Sequence, residues 1–106
     1  MKVEYNKLVR DKVPEIIKES GRACEYKILG QSEIRTALKD KLLEKAQVFM
    51  NSPSEDELSD IYELLETIVE EFEYEPLHID YLKIQNKENK GSYSEKVFLI
   101  SVDDGQ

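Results

Sequence analysis

The chain has 106 residues, with 15 Lys and Arg against 23 Asp and Glu, a net charge of −8. That charge repels nucleic-acid backbones and anionic membranes, so coating of nucleic acid is excluded as a function class. No apolar run approaches the eighteen or more residues of a membrane span, and Met1-Lys2-Val3-Glu4 lacks the apolar core of a secretion signal, so a cytoplasmic protein is expected.

Along the chain, Val3 to Leu8 is a candidate strand, and a short helix follows over Glu15 to Ser20. Pro14 suits its first turn, and Gly21 closes it in the left-handed conformation that other residues resist. Cys24, Tyr26 and Ile28 then alternate with Glu25 and Lys27, the period of a half-buried strand. Cys24 is the only cysteine, which rules out an intrachain disulfide and fits a reducing compartment. A nucleophilic cysteine would want a histidine partner; the single one, His78, sits in an acidic stretch with no such pattern, and both residues are read as structural.

Two long helices come next. The first opens at Ser32 and runs to about Met50, with Ile34, Leu38, Leu42 and Phe49 at three- and four-residue steps. Asn51-Ser52-Pro53 ends it. The second takes Ser54 as N-cap with Glu57 three residues on, a capping box, and carries Leu58, Ile61, Leu65, Ile68 and Phe72 as its stripe. They should pair as an antiparallel hairpin. A third, shorter helix spans about Pro76 to Asn89, and Lys96 to Val102 is a second candidate strand rich in Val, Phe and Ile. From Ala46 to Leu82 there is no Lys or Arg and there are eleven acids, so the helix after Ser54 carries no base of its own.

Helical phase puts three charged residues on the wrong face. At ~100° per residue, Lys45 falls inside the first helix's apolar stripe, with Lys41 and Val48 toward one edge. Glu57 and Asp60, one turn apart, lean toward the core of the second helix. A capping glutamate, a dipole-stabilised aspartate and a snorkelling lysine would account for them singly. The sharper alternative is that Glu57 and Asp60 are spaced to share a divalent cation through oxygen ligands.

The string from Tyr5 to Ile17, Tyr-Asn-Lys-Leu-Val-Arg-Asp-Lys-Val-Pro-Glu-Ile-Ile, closely resembles the opening of the MazG-like, all-α nucleoside triphosphate pyrophosphohydrolases, the superfamily that includes phosphoribosyl-ATP pyrophosphohydrolase. Lys41-Leu42-Leu43-Glu44, Glu57-Leu58-Ser59-Asp60-Ile61 and Lys90-Gly91-Ser92-Tyr93 extend the likeness over nearly the whole chain. The resemblance implies hydrolysis of a nucleoside triphosphate to monophosphate and pyrophosphate, with Mg2+ held by Glu-Glu-x-x-Glu and a downstream Glu-x-x-Asp. Glu57 and Asp60 match the second half as metal ligands, and with Glu44 they are the candidate catalytic acids. The first half reads Glu44-Lys45-Ala46-Gln47-Val48, so Lys45 and Val48 stand where the family keeps its inward-facing acids. Lys7, Arg10 and Lys12 are the implied phosphate contacts.

Residues 1–106 are thus expected to form one mainly α domain: a helical hairpin of the all-α pyrophosphohydrolase type with short terminal strands, assembled as a homodimer or higher homo-oligomer. Two amphipathic helices cannot bury both faces alone. The expected function is a nucleotide clean-up hydrolase with weak or lost turnover. Its rivals are an enzyme with replacement ligands from Glu44, Glu63 or a partner subunit, and a non-enzymatic nucleotide- or partner-binding module.

Overall fold

The computed structural model describes residues 3–103 and 105, and they form four helices: α1 (Val13–Glu19), α2 (Gln31–Asn51), α3 (Glu55–Glu71) and α4 (Pro76–Lys90). The mainly α class read from periodicity is the class observed. Among the described residues no helix is long and apolar enough to cross a membrane. The chain divides into two compact units, Met1–Tyr74 and Glu75–Gln106.

In the first unit, α1 begins beside Pro14, whose missing N–H belongs to the unsatisfied first turn. It ends in a Schellman motif: Gly21, at φ 84°, donates to Lys18 O at 3.0 Å and Arg22 to Ile17 O at 3.3 Å. The Cys24 thiol approaches the Pro14 carbonyl at 3.8 Å. α2 opens one residue earlier than the sequence suggests, because the Gly30 N–H donates to Glu33 Oε1 at 3.2 Å and ties the first turn together. That bond and nearby Lys27 hold the Glu33 carboxyl below its usual range. α3 starts at the expected cap, with Ser54 Oγ accepting from the Glu57 N–H at 3.1 Å.

α2 and α3 pack against each other as a hairpin around Leu38, which is fully buried. Ile34, Leu42 and Phe49 of α2 are half-buried, as the stripe requires. On α3 the stripe is rotated from its expected phase: Glu57, Asp60, Ile61, Leu64, Ile68 and Phe72 are half-buried, while Leu58 and Leu65 stay 40% and 45% exposed. The helix has a second apolar line, Leu58, Tyr62 and Leu65, and a stripe drawn through both lines runs between the two faces. Arg35 closes the far end of the hairpin, donating from Nε to the Glu71 carbonyl at 3.1 Å with its guanidinium 5.4 Å from the centre of the Phe72 ring.

In the second unit, α4 spans Pro76–Lys90 and is ended by Gly91, at φ 86°. His78 stacks on Tyr81 with ring centres 6.2 Å apart. The strands expected at Val3 to Leu8, Cys24 to Ile28 and Lys96 to Val102 are not formed among the described residues. A strand is completed by a neighbour's backbone, and alternation alone does not supply one. Val97, Phe98 and Ile100 are 87–89% exposed.

Candidate functional site

Near the turn that joins α2 to α3, four bases and three acids interlock. Helical phase carries Lys45 of α2 to the first turns of α3, where its ammonium donates to Asp60 Oδ2 at 3.1 Å and to Glu57 Oε2 at 3.4 Å. All three side chains are 22–23% exposed, partly shielded from solvent but not removed from it. Asp60 is held from its other side as well, by Arg10 Nη2, which donates to Oδ1 at 2.6 Å. Glu44 repeats the arrangement: Lys7 reaches its Oε1 at 3.2 Å and Lys41, one turn back on α2, its Oε2 at 3.3 Å.

The charges respond accordingly. Hydrogen bonds from Arg10 and then Lys45 hold the Asp60 carboxyl below its usual range. The bond to Asp60 raises Lys45 against the opposing effect of burial, and the same carboxylate raises Arg10. Partial burial pushes Glu44 up, but donation from Lys7 and Lys41 outweighs it and the net direction is down.

Of the phosphate-binding candidates, Lys7 and Arg10 come together on the acids, while Lys12 lies at the entry to α1 and makes no ion pair among the described residues. Val48 is half-buried and offers no ligand atom. Glu63 lies on the exposed side of α3 in a shallow groove with Glu55, Leu58, Ser59, Tyr62 and Glu66. Asp56 was not singled out by sequence, yet its carboxylate and those of Glu57 and Asp60 have oxygens within 4.8 Å of one another. The i, i+4 spacing of Asp56 and Asp60 was the available signal.

These residues do not fit a resident magnesium ion. Mg2+ requires near-octahedral oxygen ligation, and an ion on Asp60 would stand beside the Lys45 ammonium and the Arg10 guanidinium already bound there. What the cluster does is join three pieces of chain: the N-terminal segment, α2 and α3.

The chain matches no established family model, and no curated protein or solved structure matches it.

Proposed function

We propose that the chain is a divergent nucleoside triphosphate pyrophosphohydrolase-like protein, of the nucleotide clean-up class, in which metal-dependent turnover is weak or lost. The family resemblance rests on the string from Tyr5 to Ile17 and on the Glu57-x-x-Asp60 spacing. The observation that carries the loss of turnover is the Lys45 ammonium lying between Glu57 and Asp60, a fixed monovalent cation where the family holds a metal. Nucleotide binding through Lys7, Arg10 and Lys12 is the activity that remains. The setting is a reducing cytoplasm, with Cys24 as a free thiol.

The active form in this reading is a homodimer or higher oligomer. Leu58, Tyr62 and Leu65 form an exposed apolar line on α3, and assembly would cover it and give the extended segments backbone neighbours. The same exposed line favours a second reading, a non-enzymatic module that binds a protein partner.

Release of pyrophosphate from a panel of canonical and damaged nucleoside triphosphates, with Mg2+ or Mn2+, tests the proposal. Negligible release together with thermal stabilisation by nucleotide is expected. Brisk magnesium-dependent release by the native chain would return it to the enzymes. Neither release nor stabilisation would favour the partner-binding module.

A further inference from the structure

We infer that Asp60 and Glu44 are internal competitors for the anion that Arg10 and Lys7 bind, so that a phosphate ligand unlatches the N-terminal segment from the helical hairpin. The inference rests on the proposed nucleotide reading and adds the control of that site.

Residues 3–12, ahead of α1, have no regular secondary structure, and of them only Leu8 is half-buried. Among the described residues the segment's polar attachments to the hairpin are Lys7 to Glu44 on α2 and Arg10 to Asp60 on α3. A carboxylate and a phosphoryl group present the same charged oxygen acceptors to a guanidinium or ammonium. Arg10, held at 2.6 Å by Asp60, cannot give a phosphate its full donor set without releasing that carboxylate.

Release leaves neither acid orphaned, which makes the exchange feasible. Each is held by two bases, one from the segment and one from α2. When Arg10 leaves, Asp60 keeps Lys45 at 3.1 Å; when Lys7 leaves, Glu44 keeps Lys41 at 3.3 Å. Losing the last partner of a shielded carboxylate would be costly, and here that cost does not arise. Lys45 still ties α2 to α3, and Lys41 stays paired with Glu44 within α2, while the bases on the segment are free to change partner. The latch and two of the three proposed phosphate contacts are therefore the same side chains, Lys7 and Arg10, in alternative pairings.

The test is calorimetric titration with inorganic pyrophosphate in excess chelator, so that no metal contributes. Asp60→Asn should bind pyrophosphate about tenfold more tightly than the native chain, since the competitor has lost its charge. Removing one negative charge also helps any anion from a distance, so the same substitution is made in an Arg10→Gln background, where the gain should vanish. Glu44→Gln, alone and with Lys7→Gln, repeats the cycle at the second pair and carries the test should Asp60→Asn fail to fold. Equal affinity of native and variant chains, or a gain that persists without Arg10 and Lys7, overturns the latch and leaves nucleotide binding standing. No pyrophosphate binding by any of these proteins overturns the latch and the nucleotide reading together.

Discussion

The Lys45 ammonium donates to Asp60 across 3.1 Å, tying the middle of α2 to the first turns of α3. Lys45→Ala leaves Glu57 without a base and Asp60 with Arg10 alone. A loss of about 1 kcal/mol is expected in chemical denaturation, in keeping with a partly shielded ion pair. Lys45→Glu with Val48→Glu would set four carboxylates around the same point, counting Glu57 and Asp60. Added Mg2+ should raise the melting temperature of that double variant and not of the native chain. Equal stabilisation of both would remove the idea that Lys45 stands in for a metal.

The same pair gives stability a predictable pH dependence. Asp60 has a folded pKa below its unfolded value, so its contribution is present above about pH 4 and is lost as pH falls through the depressed folded value. Lys45 has a folded pKa above its unfolded value, so its contribution is complete below about pH 10 and is lost as pH rises through the raised value. Both are intact across the neutral range. Asp60→Asn should therefore flatten the acid limb of a stability–pH curve; an unchanged acid limb would place the acid sensitivity elsewhere.

The helices and the inward lean of Lys45, Glu57 and Asp60 were legible in the sequence because α-helical phase is a local property. Arg10 meeting Asp60 was not: fifty residues separate them, and the segment carrying Arg10 has no periodicity from which a direction could be read. The rotated stripe of α3 has a related cause. Leu58, Tyr62 and Leu65 form one line, Ile61, Leu64 and Ile68 another, and composition alone does not say which line meets α2. The strands failed to form for a different reason, since alternation gives a strand's faces but not its neighbour.

Leu38 is the one fully buried side chain among the described residues, so the hairpin's cohesion depends heavily on it. Leu38→Ala should cost about 3 kcal/mol, the usual range for a core leucine whose surroundings cannot collapse into the gap. Thermal melts at several protein concentrations add a second reading. If assembly covers the exposed line of α3, the midpoint will climb with concentration, and Leu65→Glu will abolish that climb without changing the helix content of a dilute sample. A midpoint independent of concentration in the native chain would argue for a stable monomer.

The two Schellman motifs of the first unit differ in one residue. α1 closes on Gly21, which adopts positive φ without a Cβ penalty, but α3 closes on Glu73, at φ 59°, in the equivalent position. The surrounding bonds are the same: Glu73 donates to Glu70 O at 3.1 Å and Tyr74 to Val69 O at 2.9 Å, leaving the backbone no other course. An L-residue in that conformation costs about 1–2 kcal/mol, and glycine does not incur it. Against this, the Glu73 side chain accepts one long hydrogen bond, 3.4 Å, from Gln31 Nε2 at the start of α2, and glycine adds freedom to the unfolded chain. The backbone effect is the larger, because a side-chain bond this long and exposed falls at the weak end of the usual net range, about 0.5 kcal/mol. Glu73→Gly should then stabilise the hairpin by about 0.5–1 kcal/mol, read as a higher denaturation midpoint with an unchanged slope. A lower midpoint would show that the contact to Gln31, or the charge at that corner, matters more than the turn.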